Sequence, residues 1–122
     1  MNDQTPKPID WADTYGIYSP SDDLAAVDWT PVVSYDAGGS YDWTTFHAFW
    51  SPSARRFFWH GDSWRSCNWW GDNLHRPSDF YDGDKAALQR AFREFAEEKY
   101  LDAGDALRTA DQIARFKTGD PR

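Results

Sequence analysis

The order of apolar and polar positions divides the chain into a strand-rich middle and a helical end. Residues 9–28 carry short apolar pieces between breakers: Ile9 with Trp11, the run Tyr15-Gly16-Ile17-Tyr18, then Ser19-Pro20-Ser21-Asp22-Asp23. The serine and aspartates of that last run are suited to cap one helical turn over Leu24–Val27. Trp29–Tyr35 reads as a short strand, and Pro31 near its start places it at a sheet edge. Asp36–Ser40 is a turn. Tyr41–Trp50 and Arg55–His60 are two runs of aromatic and β-branched residues, joined by Ser51-Pro52-Ser53-Ala54 as a four-residue hairpin loop. That loop pairs Trp50 with Arg55, Ala48 with Phe57 and Phe46 with Trp59, and on the other face sets Phe49 near Arg56 and His47 near Phe58. Both faces are then aromatic, so the hairpin is either covered on both sides or keeps one face for a partner.

Gly61–Tyr81 is irregular, with Trp64, Trp69, Trp70, Phe80 and Tyr81 spread among Gly, Asn, Asp, Ser and Pro. A loop of this length in a small domain is functional or packed by its own side chains. After it the period changes to that of a helix. Asp82 or Asp84 is the expected N-cap, followed by the stripe Leu88, Ala91, Phe92 and Phe95, with Arg90, Arg93, Glu94, Glu97 and Glu98 off it. Gly104 is expected to stop this helix. Asp105 then caps a second one from Ala106 to about Phe116, with the stripe Leu107, Ala110, Ile113 or Ala114, and Phe116. The fold class that follows is α+β: a small antiparallel sheet with an aromatic hairpin, packed by two C-terminal helices. Residues 9–118 are expected to form a single domain between a disordered tail at 1–8 and a short one at 119–122.

Length supports one core without covalent staples, since 122 residues suffice to bury most of the apolar surface. The single cysteine, Cys67, excludes an internal disulfide. With no secretory-type leader and no apolar run of membrane-spanning length, the expected location is the cytoplasm. Charge changes the picture further. Residues 1–50 hold eight aspartates against one base, Lys7, whereas residues 51–122 hold twelve acids and twelve bases, so the whole net charge of −7 belongs to the first half. Direct nucleic-acid binding needs clustered Lys and Arg and is not expected. The aspartates read first as solvated turn residues, and also as a field that steers a basic partner. Nucleic-acid mimicry by them is a weaker reading, because thirteen bases remain.

Motifs for chemistry are sparse. There is no phosphate-binding glycine loop, no CxxC and no HExxH. Asp82-Gly83-Asp84 is too short for a calcium loop and reads as a helix cap. His47 and His60, diagonal on one hairpin face, with Asp62, Cys67 and His75 in the loop, are chemically acceptable zinc ligands, but their spacing matches no zinc motif. Cys67 with His75 is a conceivable nucleophile pair with nothing to position it. No metal and no cofactor are expected. Eleven of the 22 aromatic residues, including six of the eight tryptophans, lie between Tyr41 and Trp70. Most must fill the core. Trp64, Trp69 and Trp70 are the rings expected to be exposed, and with Arg65 they have the make-up of an interface hot spot.

The run Tyr41-Asp42-Trp43-Thr44-Thr45-Phe46-His47-Ala48-Phe49-Trp50 followed by Phe57-Phe58-Trp59-His60-Gly61-Asp62-Ser63 resembles a family of small proteins of unknown function carried by phages of actinobacteria. There an aromatic hairpin leads into Asp-Ser-Gly-Cys-Ser-Cys. Here the segment is Asp62-Ser63-Trp64-Arg65-Ser66-Cys67, so the glycine and the first cysteine are replaced. The likeness covers about residues 29–75. It implies a phage accessory protein and brings no activity with it. The expected function is therefore non-enzymatic binding of a host protein, as an inhibitor, through Trp64, Arg65, Trp69 and Trp70, without contact to nucleic acid or membrane. The alternatives are a small metal- or thiol-dependent enzyme using His47, His60, Cys67 and His75, and a structural or assembly component.

Overall fold

The structure, a computed structural model, describes residues 9–38, 42–64 and 70–118, with only the backbone at Trp64. The expected tails at 1–8 and 119–122 lie outside the described residues. The chain is α+β: strands β1 (Thr30–Gly38), β2 (Trp43–Ser51), β3 (Arg56–Trp64) and β4 (Tyr81–Gly83) form an antiparallel sheet in that order, and helices α3 (Lys85–Glu98) and α4 (Ala103–Arg115) follow it. β1 is an edge strand, and its pairing with β2 is shifted between Pro31 and Val33, where the proline cannot donate to the ladder.

The β2–β3 turn is Pro52–Arg55, one residue later than expected. Arg55 takes a left-handed φ of 55°, and its N–H donates to the Ser51 carbonyl at 2.8 Å. The register therefore moves by two: Trp50 pairs with Phe57, Ala48 with Trp59, Phe46 with Gly61, and His47 with His60. A shift of two leaves each side chain on its expected face, because the side-chain period of a strand is also two.

Both faces of the hairpin are covered. On one, Phe46, Ala48, Phe57 and Trp59 pack against Leu88, Phe92 and Phe95 of α3 and Ile113 of α4. Gly61 belongs to this face, and any Cβ there would lie 2.5 Å from the Phe46 ring and 2.9 Å from that of Phe95, so only glycine admits the helix at this distance. On the other face, Phe49 and Phe58 meet rings from the N-terminal segment, Trp11, Tyr15 and Trp29, together with Trp70, Leu74 and Phe80. That segment contains two short helices, α1 (Trp11–Tyr15) and α2 (Asp22–Ala25). Asp10 caps α1 by accepting the Asp13 N–H at 2.9 Å, and Gly16, at φ 73°, ends it. Ser21 caps α2 through the Leu24 N–H at 3.1 Å. The buried Trp11 indole satisfies its N–H on the Leu24 carbonyl at 3.1 Å.

The helical hairpin departs from expectation in two ways. Gly104 does not stop α3; it lies within α4. The stop is made earlier, where Tyr100 enters the left-handed region at φ 55°. The Leu101 N–H then donates to the Ala96 carbonyl at 3.0 Å and that of Tyr100 to Glu97 at 3.3 Å, the pair of reversed bonds that closes a helix C-terminus. The α4 cap is Asp102, not Asp105, and accepts the Asp105 N–H at 3.1 Å. The buried positions of α4 are Thr109 and Ile113, while Leu107 is 72% exposed. Lys85, at the start of α3, caps the far end of α4 by donating to the carbonyls of Ala114 at 3.0 Å and Phe116 at 2.7 Å. Asp84 caps α3, and Asp82 pairs with Arg56 across the β3–β4 edge, so the Asp82-Gly83-Asp84 carboxylates have structural partners.

A polar contact joins the approach to β1 to the β2–β3 turn. Asp28 accepts the buried Ser51 hydroxyl and the Ser53 N–H, both at 2.8 Å. Burial pushes its pKa up, but these bonds prevail and leave it lowered. Asp28→Ala takes from the buried Ser51 hydroxyl its carboxylate acceptor and from the Ser53 N–H its partner, with an expected loss of about 2 kcal/mol in urea unfolding; a loss no larger than that of an ordinary surface mutation would show that the contact does not hold the turn.

Candidate functional site

The tryptophans expected to face a partner divide. Trp64 ends β3 opposite Trp43. Arg65 and Trp69 lie outside the described residues, as does Cys67. Trp70, expected to be exposed, is buried at 6% exposure. Its indole N–H donates to the His60 carbonyl at 2.9 Å, and its ring stands edge-on to His47 at 4.6 Å. The reason is that the chain after Trp70 folds back over the sheet and buries Leu74 and Phe80 there. The segment is packed by its own side chains, with a short 3-10 turn at Pro77–Asp79.

The histidines also find places. His47 and His60 are direct cross-strand partners, not diagonal ones. His47 is buried, its Nδ1 lies 2.9 Å from the Ser34 hydroxyl, and Tyr15 stands edge-on at 4.9 Å. Burial lowers its pKa to about 4, against a weaker upward pull from Asp36. His60 stacks on Tyr81 at 6.0 Å, and burial lowers its pKa against the pull of Asp62 and Asp79. His75 is exposed, and its backbone N–H donates to Asp79 at 2.8 Å. Among the described residues no three His, Cys, Asp or Glu side chains gather as metal ligands.

Sequence reasoning missed a largely apolar concavity among the described residues. α3 and α4 line a groove of about 910 Å³. Its floor is Phe92, Ala96 and Ile113, its α4 wall is Ala106, Ala110 and Ala114, and Gln89, Arg93, Glu97 and Asp111 stand at its rim. Two large apolar side chains at its edge are open to solvent: Tyr100, 92% exposed, and Leu107, 72% exposed. Of the stripe expected to face the core, Leu107, Ala110 and Ala114 line this groove, while Ile113 and Phe116 pack in the core. Thr109 is the other buried position of α4. Tyr100 stands where a helix stop ordinarily uses glycine, so this exposed ring sits on a backbone conformation that bulky residues avoid.

No helix among the described residues is long and apolar enough to cross a membrane. In comparisons with known proteins, no protein-family model, no curated protein and no solved structure matches the chain.

Proposed function

We propose that this is a phage accessory protein that binds a host protein and blocks it, and that the groove between α3 and α4 is the principal contact. The observation that carries the reading is the groove itself, an apolar channel with an exposed tyrosine and an exposed leucine at its edge. Exposed apolar surface gathered in one concavity, and not scattered singly, is what interaction sites present. α3 and α4 have 14 and 13 residues, so each is about 20 Å long. The alanines of the wall let another backbone come close, and Tyr100 and Leu107 can wedge between its side chains. An amphipathic helix of the host protein, about three turns long, fits such a channel. Both signs of charge at the rim, Arg93 against Glu97 and Asp111, favour a partner segment flanked by mixed charges.

Binding without catalysis is part of the proposal. Its support is that the buried imidazole tied to Ser34, His47, is a feeble base at neutral pH, its pKa lowered by burial to about 4. Trp64, Arg65 and Trp69 stay as a proposed second contact; Trp70 does not, because its ring is in the core.

The test compares the parent chain with Leu107→Lys, a change between two good helix formers at an exposed site. The host protein captured by the parent should be bound about 30-fold more weakly by the variant, roughly 2 kcal/mol, with the melting temperature unchanged. Equal capture by both would remove the groove from the interface.

A further inference from the structure

We infer that a second pocket, between α1 and the paired ends of β1 and β2, is a binding site for an organic cation, a guanidinium or alkylammonium group. This pocket lies on the opposite face of the sheet from the groove and is independent of it. It encloses about 320 Å³, a size suited to a single side chain or small molecule. Four of its lining residues are aromatic: Tyr15, Trp43 and Trp70 are buried, and Tyr18, 75% exposed, stands at the mouth. Aromatic faces attract cations, and more strongly where water is excluded.

The polar lining has one sign. Asp13 and Asp36 contribute carboxylates, and no lysine or arginine lines the pocket. Residues 9–50, which supply all of the lining except Trp70, contain seven aspartates and no lysine or arginine. Asp36 is held in place from one side, where its Oδ1 accepts the Thr45 hydroxyl at 2.9 Å. An ionised carboxylate accepts several donors at once, so this bond orients the group toward a ligand without using it up. His47 lines the same pocket, tied to Ser34 at 2.9 Å, and being neutral at pH 7 it adds no opposing charge. Arg108 of α4, which lines a neighbouring pocket together with Asp36, is paired with Asp105. The combination of aromatic walls, the oriented Asp36 carboxylate and the nearby Asp13 recognises a delocalised or alkylated cation. It is poorly made for a bare metal ion, which would want more oxygen ligands.

Such a group arrives either on an arginine or lysine side chain of a partner protein or as a free amine. Two probes separate these sources: agmatine, and a short peptide with one arginine. Amide shifts of Asp36, Thr45 and His47 are followed by NMR, with an alkylurea and the citrulline peptide as neutral controls. Saturable shifts with the cationic probes at about millimolar concentration or below, absent with the neutral ones, are expected. A peptide that binds tighter than agmatine points to a partner's side chain, and equal binding to a free amine; either outcome supports the site. Asp36→Asn and, separately, Asp13→Asn should each weaken binding by about tenfold with the fold retained by melting. No shift with either cationic probe, or equal shifts with the neutral isosteres, would overturn the assignment.

Discussion

Replacing Phe92 by alanine is expected to lower stability by about 3–5 kcal/mol, against less than about 0.5 kcal/mol for Arg93→Ala next to it. Phe92 is 2% exposed and lies mid-way along α3. Its ring stands edge-on to Phe46 at 5.1 Å, on the sheet face where Phe95 also meets Phe46 at 5.2 Å. Truncation removes the transfer free energy of a whole ring and leaves a cavity between helix and sheet that the strands are too constrained to fill. Arg93 is exposed on the next position of the same helix. A domain of this size has roughly 5–15 kcal/mol in total, so the first variant should be close to unfolding at physiological temperature. Urea midpoints of the two variants check this. Similar losses at both positions would mean that α3 does not present this face to the sheet.

The second large effect is one of pH. His47 has its pKa lowered from 6.5 to about 4 because burial disfavours the imidazolium. The unfolded chain binds a proton as the pH falls through about 6.5, while the native state declines it until about 4. Stability is therefore complete above the unfolded value and is lost as the pH falls through this window, by about 3 kcal/mol. His60, also lowered by burial, acts in the same direction. Relief of acidic repulsion acts in the opposite one, since the net charge is −7 at pH 7. The difference between the parent and His47→Gln isolates the single group, because glutamine can still bond Ser34 and does not titrate. The parent should lose about 3 kcal/mol more than the variant between pH 7 and pH 4 in urea unfolding; parallel curves would show that His47 is hydrated in solution.

The start and the core face of α3 were legible in the sequence, but its end was not, because Tyr100 and not Gly104 stops it. Leu88, Phe92 and Phe95 recur at helical spacing behind Asp84, and both signals act locally. The two-faced hairpin was legible as well, down to the face on which each ring lies. Its register was not, since Arg55 adopts the left-handed conformation without the glycine or asparagine that would have marked it. α4 was legible in part: of its expected stripe Ile113 is buried and Phe116 packs on the core, but Leu107, Ala110 and Ala114 are exposed, and the other buried position is Thr109, which its hydroxyl disguises. α1 had its signals, Asp10 before the first turn and Gly16 after the last, but five residues are too few for a periodic pattern. The groove was not legible, because it depends on how two helices are placed against each other and on where Tyr100 ends the first of them. The exposure of Trp70 was misjudged for the same reason: nothing local says that Leu74 and Phe80 bring the chain back over the sheet.

The central claim is that the α3–α4 groove holds a host protein, and photo-crosslinking from inside the groove tests it most directly. A benzophenone side chain is placed at Leu107, at Tyr100 or, as a control, at Tyr81, which is 64% exposed and does not line the groove. Each variant is irradiated in host lysate. The predicted result is one host protein joined to the chain from positions 107 and 100 and absent from position 81, with the adduct lost when excess unmodified chain is added. Adducts of equal yield from all three positions, or from position 81 alone, would contradict the claim.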